Sequence, residues 1–189
     1  MAHHHKLVLA SSNPHKLEEL RRALPGWEIA SLGPVDLPDE TGSTYRENAA
    51  AKARFARRHA DLGAWVVGED SGIEAEALDG RPGVESARWA TDGVARMLDE
   101  LTGETDRRAR YVCVMVAVAP DGTEIVAEGV VDGSIVTGPP RGGEGFGYDP
   151  IFVPLGETRT VAELGGAWKS AHSHRARAAA VLAQASERC

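Results

Sequence analysis

The sequence has few cysteines and no hydrophobic run long enough to cross a membrane. Among its 189 residues only Cys113 and Cys189 are cysteines, too few to predict a fold held together by disulfide bonds. The longest apolar run, residues 111–119, has nine residues, half of the ~18 that a transmembrane helix needs. No secretory pattern precedes Lys6. We therefore expect a soluble protein of the reducing cytoplasm, without membrane contact.

Positive charge is also scarce. Lysine and arginine total 21 against 28 for aspartate and glutamate, which gives a formal net charge of −7. Such a chain repels the phosphate backbone, so we do not expect a general nucleic-acid-binding protein, although a local basic pocket could bind one small anion. The hydrophobic share of 42% and the charged share of 26% are typical of a globular protein. The length suits one compact domain or one domain with two lobes.

Three familiar kinds of site are missing. The sequence has no Gly-x-x-x-x-Gly-Lys-Ser/Thr phosphate loop, the glycines of residues 142–147 lack dinucleotide spacing, and no Cys or His cluster has zinc spacing. Residues 1–5, Met-Ala-His-His-His, resemble an expression-tag remnant. Their histidines are therefore left out of any metal argument, and we expect one domain over residues 6–189.

Apolar runs of strand length alternate with segments that carry helix-capping residues. Strands are expected over residues 6–10, 27–32, 65–68, 110–119, 124–136 and 151–153, and the alternating residues 73–78 predict a further strand at an exposed edge. Helices are expected over residues 15–24, 45–62, 91–101 and 174–186, and capping boxes begin at Thr44 and Thr160. A Pro-Asp-Gly turn between the two longest strands is typical of a hairpin. This order predicts an α/β fold with a long central mixed β-sheet flanked by helices.

The first predicted strand leads through a polar turn into a helix. Asn13 is a good N-cap and Pro14 falls at the first helical position, so backbone N–H groups point outward at the helix start. With the hydroxyls of Ser11 and Ser12 and the ammonium of Lys16, these groups could bind phosphate oxygens. An ordinary capped helix with a solvated lysine explains the same residues equally well.

Acidic side chains follow the third predicted strand and precede the second predicted helix. Glu69 and Asp70 close a buried strand, where open α/β sheets commonly bind ligands, and Glu40 lies in the loop before the helix. Three carboxylates could hold Mg²⁺ with waters completing its octahedron. An acidic turn without a ligand is the alternative. Lys52, on the inward face of the helix, needs a partner there or must extend to water.

Two stretches nearer the C-terminus combine aromatic or cationic side chains. Residues 146–150, Phe-Gly-Tyr-Asp-Pro, adjoin a glycine-rich loop. Their aromatic rings could stack on a base or lie in the core beneath the loop. Residues 169–175, Lys-Ser-Ala-His-Ser-His-Arg, form the most polar helix start in the sequence. Because cations there oppose the helix macrodipole, we expect them to bind a ligand rich in acceptor oxygens.

Six stretches together carry a family resemblance. They are residues 11–16, 40–53, 69–72, 80–88, 146–150 and 169–175. In this order they cover nearly the whole chain, which resembles the inosine triphosphate pyrophosphatase family. Members of that family cleanse the nucleotide pool by hydrolysing non-canonical purine nucleoside triphosphates to the monophosphate and pyrophosphate. The resemblance implies two lobes with an active-site cleft between them, Mg²⁺ as the cofactor, a nucleoside triphosphate as the substrate, and a homodimer.

The resemblance also implies a role for each matched residue. Asp70 is the expected acid–base catalyst. The expected metal ligands are Glu40, Asp70 and Glu69. Bacterial members of the family often have aspartate at the position of Glu69. The expected triphosphate contacts are Ser11, Ser12, Asn13, Lys16, Lys52 and Ser71. The expected base contacts are Phe146, Gly147, Tyr148, Asp149, Lys169, His174 and Arg175. The donors Lys169 and Arg175 would pair with the 6-keto oxygen of hypoxanthine or xanthine, and an unpaired donor facing adenine would cost ~1–3 kcal/mol.

Two other functions fit part of the sequence. The stretch from Leu9 to Leu20 also resembles Maf-like nucleotide pyrophosphatases, which prefer other bases, but the Phe-Gly-Tyr-Asp-Pro and Ser-His-Arg stretches favour the inosine family. A non-catalytic nucleotide-binding module would keep the base-reading groups and lose the carboxylates. Glu40 and Asp70 are both present, which favours an enzyme.

Overall fold

The computed structural model describes residues 5–188 and contains a six-stranded sheet. Its strands are β1 (His5–Ala10), β2 (Trp27–Ser31), β3 (Trp65–Ala75), β4 (Arg108–Val118), β5 (Glu124–Ile135) and β6 (Phe152–Pro154). Their order across the sheet is β2-β1-β3-β4-β5-β6. Strand β1 pairs in parallel with β2 and β3, whereas β5 and β6 are antiparallel. The sheet is therefore mixed, as the sequence predicts.

The helices begin at the capping residues that the sequence indicates. They are α1 (Pro14–Ala23), α2 (Tyr45–His59), α3 (Gly93–Glu100), α4 (Val161–His172) and α5 (His174–Ser186). The Asn13 side chain accepts a hydrogen bond from the His15 N–H, and Thr44 and Thr160 each form a capping box. Two short 3₁₀ helices follow β3, at Glu76–Leu78 and Gly83–Glu85.

One predicted strand end and one predicted placement are wrong, and both bear on candidate site residues. Strand β3 continues to Ala75, so the strand predicted separately over residues 73–78 begins within it, and Glu69 and Asp70 lie inside β3. Helix α5 begins at His174 as predicted, but Lys169 lies in the last turn of α4 rather than at the start of a helix. Lys169 is therefore at a helix C-terminus, where the macrodipole favours a cation. The helix macrodipole therefore does not disfavour the charge of Lys169, contrary to the expectation from the sequence.

The chain forms two compact units, each with its own core. Within the described residues, the first unit comprises residues 5–70, 113–129 and 175–188, and the second comprises residues 71–112 and 130–174. The first core includes the buried side chains of Leu7, Val67, Met115 and Leu182. The second core includes the buried side chains of Ile73, Met97, Ile151 and Phe152. The prediction of one two-lobed domain with a cleft between its lobes stays a prediction.

The ends of the chain bear on two further expectations. His5 opens β1, and its ring centroid lies 4.7 Å from that of Trp27. Residues 1–4 of the expected tag remnant lie outside the described residues, as does Cys189, while Cys113 is a buried free thiol. Between residues 5 and 188, no helix has the length and apolar character needed to span a bilayer.

Candidate active site

Strand β3 and helix α2 approach one another closely in the first unit. A Cβ placed on Gly68 would lie 2.0 Å from the carbonyl oxygen of Ala49 and 2.5 Å from the backbone nitrogen of Ala53. Glycine on the strand and alanines on the helix thus allow the two backbones to pack at short range. The buried face of α2 also carries Asn48 and Lys52, one turn apart. The close packing brings both side chains to the strand residues that follow Gly68.

Four side chains meet here and form what we call the Lys52 cluster: Glu40, Asn48, Lys52 and Asp70. The Lys52 Nζ lies 2.6 Å from Glu40 Oε1 and 3.8 Å from Asp70 Oδ1. Asn48 donates from Nδ2 to Asp70 Oδ2 at 2.9 Å and accepts at Oδ1 from the Gly42 N–H at 2.8 Å. The side chains of Lys52 and Asp70 are 6% and 4% exposed, against 31% for Glu40. Two carboxylates thus surround one ammonium, and the Glu40 side is open to solvent.

The pKa of the Asp70 carboxyl is raised above its usual value. Burial is the largest cause, the Lys52 ammonium and the Asn48 hydrogen bond act against it, and the Glu40 carboxylate adds to it. A raised pKa brings a carboxylate closer to the range in which it can accept a proton from water. One Asp70 oxygen is thus fixed by an amide in a group with a raised pKa, and such perturbed carboxyls are common at functional sites.

The carboxylates of the Lys52 cluster fit a divalent cation. Oxygens of Glu40 and Asp70 already converge on one cationic nitrogen, and Mg²⁺ prefers one or two carboxylates, with waters and substrate phosphates as its other ligands. Glu69, the predicted third ligand, is not part of this arrangement. Among residues 5–188 no three His, Cys, Asp or Glu side chains converge to hold a metal. Glu69 thus lies apart from the Glu40–Asp70 pair in this structure, and its metal role stays a prediction.

Glu69 belongs instead to what we call the Arg175 cluster: Lys16, Glu19, Glu69 and Arg175. Successive residues of a strand point to opposite faces, which separates Glu69 from Asp70. Arg175 donates to Glu69 Oε1 at 2.9 Å and also contacts the Glu19 carboxylate, and Lys16 Nζ lies 3.2 Å from Glu69 Oε2. The side chains of Glu69 and Arg175 are 1% and 2% exposed. Two carboxylates and two cations leave the cluster neutral.

Charges within the Arg175 cluster offset the cost of burial. Burial by itself raises the pKa of Glu69, but attraction to Arg175, Lys16 and Lys52 holds it well below its usual value. Burial and the Glu69 carboxylate raise the pKa of the Cys113 thiol, which lies 3.5 Å from Glu69 Oε1. Arg175 is buried and held by two carboxylates, and its expected base contact stays a prediction.

The turn between β1 and α1 has the predicted local geometry. The Asn13 N–H donates to Ser11 Oγ at 3.2 Å, and Asn13 Oδ1 accepts from the His15 N–H at 2.9 Å. Ser12 is exposed, and Lys16 is partly exposed in the first turn of α1. The turn thus presents a hydroxyl and an ammonium beside a helix N-terminus, the arrangement that binds anions.

In the second unit, Asp149 organises the aromatic loop. Its carboxylate accepts hydrogen bonds from the Phe146 N–H at 2.9 Å, from Lys169 Nζ at 2.7 Å and from the Tyr111 hydroxyl at 3.2 Å. Lys169 Nζ also lies 4.5 Å from the centroid of the Phe146 ring. The ring of His174 stacks on that of Tyr111, with centroids 4.6 Å apart. We call these five residues the Asp149 cluster.

Three remaining predicted contacts have different environments. Tyr148 is buried in the second core and donates its hydroxyl to the Ser86 carbonyl at 3.1 Å, and burial raises its pKa to about 12. It is therefore a core aromatic, the alternative that the sequence left open for this loop, and its expected base contact stays a prediction. Gly147 is exposed with φ of 60°. Ser71 is half-buried directly after Asp70 in β3.

Sequence reasoning missed three residues that organise these clusters. Asn48 had an available signal, because it precedes Lys52 by one turn on the inward face of the predicted helix. No local pattern in the sequence marked Glu19 or Tyr111 as a member of these clusters. Glu19 lies on an otherwise ordinary charged helix, and Tyr111 begins an apolar run that the sequence presents only as core.

Comparisons with known proteins agree on one family. The protein-family model described as the Ham1 family matches residues 7–185 of this chain. The dITP/XTP pyrophosphatase of Deinococcus deserti is 47% identical over 184 residues, which cover 94% of this chain and 87% of that relative. The solved Ham1 protein of Staphylococcus aureus is 36% identical, with a TM-score of 0.84 and coverage of 97% and 98%. A nucleoside-triphosphatase / dITP/XTP pyrophosphatase from Mycobacterium abscessus is 43% identical, with a TM-score of 0.72 and coverage of 94% and 98%.

Proposed function

Because the chain belongs to the Ham1 family, we propose that it hydrolyses non-canonical purine nucleoside triphosphates (dITP, ITP and XTP) to the monophosphate and pyrophosphate. The observation that carries the proposal is the likeness, over nearly the full length of the chain, to proteins named dITP/XTP pyrophosphatase. The Lys52 cluster supports it, since it combines two carboxylates, an ammonium and an amide in one buried group.

In this proposal the Lys52 cluster performs the hydrolysis. Glu40 and Asp70 would hold Mg²⁺, which when bound supplies positive charge against the leaving pyrophosphate. Asp70 accepts a proton from the attacking water, because its carboxyl has a raised pKa. Asn48 fixes one Asp70 oxygen and so orients the other for that transfer. Lys52 neutralises charge on the phosphate oxygens.

We assign the triphosphate to the turn between β1 and α1. Backbone N–H groups at the start of α1, the hydroxyls of Ser11 and Ser12, and the Lys16 ammonium are all groups that bind phosphate oxygens. Ser71 adds a hydroxyl directly after Asp70. Glu69 holds Lys16 through a contact of 3.2 Å, so it serves the triphosphate by positioning a lysine rather than by binding metal.

We assign the base to the Asp149 cluster. Phe146 offers a ring on which a purine can stack, and Asp149 fixes both the Phe146 backbone and the Lys169 ammonium. An ammonium presents only donors. It therefore suits the 6-keto acceptor of hypoxanthine or xanthine and opposes the 6-amino donor of adenine. His174, stacked on Tyr111, is a further proposed base contact.

Release of pyrophosphate from a panel of nucleotides tests the proposal. The panel is ITP, dITP, XTP, GTP, ATP and TTP, each with and without Mg²⁺. We expect turnover of the first three, dependence on Mg²⁺, and pyrophosphate rather than single phosphates as the product. Turnover confined to other bases would favour a Maf-like enzyme. Tight ITP binding without Mg²⁺-dependent turnover would favour a non-catalytic module.

We further propose that the chain forms a homodimer, as the family resemblance implies. Light scattering should then report twice the chain mass of 20.1 kDa, and a monomer at assay concentration would contradict this. The cytoplasmic location and the absence of nucleic-acid partners stay predictions from the sequence.

A further inference from the structure

Lys52 occupies the place between two carboxylates that a bound cation would take. Its ammonium lies 2.6 Å from Glu40 Oε1 and 3.8 Å from Asp70 Oδ1, and the side chain is only 6% exposed. The two carboxylates come from different elements, the loop before α2 and strand β3. They are therefore held around a cationic atom that the chain itself provides.

The charge of this group decides how strongly it attracts a free divalent cation. With Lys52 in place, two carboxylates and one ammonium sum to −1, and without it the pair carries −2. An ammonium within 4 Å of both carboxylates also repels an incoming cation directly, and such interactions are strong where water is largely excluded. Lys52 should thus lower the affinity of the pair for a free divalent cation.

We propose that Lys52 is a resident counter-ion that keeps Glu40 and Asp70 closed to free divalent cations until a nucleotide arrives. The triphosphate offers the ammonium another set of anionic oxygens, and transfer of Lys52 to them leaves the carboxylates available to the cation that accompanies the nucleotide. This inference rests on the proposed function. It adds an order of binding, in which cation and triphosphate enter together rather than cation first.

A lysine that merely supports the fold predicts the opposite result on removal. Without a structural support the two carboxylates would move apart, and their combined affinity for a cation would fall. The Lys52→Met variant separates the two roles because methionine keeps most of the length and apolar stem of lysine and removes the charge. Its readout is cation binding to nucleotide-free protein, which requires no turnover.

The experiment measures Mn²⁺ binding to the full chain at pH 8 by calorimetry and by electron paramagnetic resonance. We expect Lys52→Met to bind Mn²⁺ at least about tenfold more tightly than the unmodified chain, since one opposing charge is removed. Lys6→Met, which removes an exposed lysine of the same unit, should leave binding unchanged. Unchanged or weaker binding in Lys52→Met would overturn the inference.

Two further measurements keep the result interpretable. The double variant Lys52→Met with Asp70→Asn should lose the gained affinity, and tight binding that survives Asp70→Asn would place the ion elsewhere and also overturn the inference. Lys52→Gln, for which we also expect tighter Mn²⁺ binding, replaces Lys52→Met if thermal melting shows that Lys52→Met does not fold.

Pyrophosphate release by the unmodified chain is scored separately. Its absence refutes the proposed function, whereas normal release with unchanged Mn²⁺ affinity refutes only the counter-ion role.

Discussion

Two groups of charged side chains use neighbouring residues of strand β3, and they differ in charge balance and in access to solvent. The Arg175 cluster pairs two carboxylates with two cations, and its central Glu69–Arg175 pair is fully buried. The Lys52 cluster has one carboxylate more than it has cations, and Glu40 is partly exposed. Within the Arg175 cluster the two carboxylates and the two cations offset one another's charge, and Lys16 stays partly exposed beside the turn before α1. The Lys52 cluster keeps a net negative charge next to solvent, which favours a cationic ligand there.

The largest expected effect comes from Asp70→Asn. We expect kcat with dITP to fall about a thousandfold, as for the loss of a general base. The free energy of unfolding at pH 7 should stay the same or rise. The folded state raises the pKa of Asp70, so ionising this group above its unfolded pKa costs stability, and a neutral amide avoids that cost.

The matched control for Asp70→Asn is Asp106→Asn. Asp106 is an acidic residue at the surface of the second unit, where it pairs with Arg108. Its replacement should leave kcat unchanged. Near-normal turnover of dITP by Asp70→Asn would contradict the role of Asp70.

Arg175→Met should show the reverse pattern, with stability lost before selectivity. Removing the guanidinium leaves Glu69 buried without its main partner, and breaking a buried ion pair costs about 3–5 kcal/mol. Urea denaturation measures the loss, with Arg177→Met on the exposed side of α5 as the control. A stable Arg175→Met variant with an altered ITP-to-ATP preference would contradict this and would support the expected base contact of Arg175.

Gly68→Ala tests the close packing that assembles the Lys52 cluster. The added Cβ would meet the Ala49 carbonyl oxygen at 2.0 Å, and such overpacking costs about 1–3 kcal/mol. Because α2 must then shift, turnover should fall together with stability. Gly26→Ala, where a Cβ meets nothing within 4 Å, should change neither. Unchanged melting and turnover in Gly68→Ala would show that the packing is not needed.

The smallest effect on turnover is expected from Lys169→Met, although this change also leaves Asp149 buried without its ammonium partner and so lowers the free energy of unfolding. Losing one donor to the 6-keto oxygen should reduce the preference for ITP over ATP about tenfold, in the range of a single buried hydrogen bond. The ratio of kcat/KM for the two nucleotides measures this, with Lys6→Met as the control. An unchanged ratio would remove Lys169 from base selection.

Local patterns of the sequence were sufficient for most of the fold. Asn13, Thr44 and Thr160 mark the helix starts because a capping side chain bonds only to backbone groups a few residues away. The resemblance to a family of nucleoside triphosphate pyrophosphatases is confirmed by the family match. The sequence also indicated that the inward-facing Lys52 needs a partner or must extend to water, and the structure places Glu40 and Asp70 beside it.

Long-range pairing explains what the sequence could not predict. Glu69 and Asp70 are adjacent in the chain, and only the continuation of β3 to Ala75 shows that they face opposite sides. Arg175 meets partners 106 and 156 residues away, Glu69 and Glu19, and no local pattern records such a pairing. Residues 169–175 therefore looked like a ligand site, although Lys169 and Arg175 each also neutralise a buried carboxylate.

The amide of Asn48 has a consequence for which side chains position 48 can accept. Its Oδ1 accepts a hydrogen bond from the Gly42 N–H, and its Nδ2 donates one to Asp70. Aspartate has the same outline but no hydrogen to give, so it would set two like charges against each other, and leucine would satisfy neither neighbour. Position 48 is thus chemically restricted from both sides, because its side chain links the backbone of the loop before α2 to the orientation of the Asp70 carboxylate.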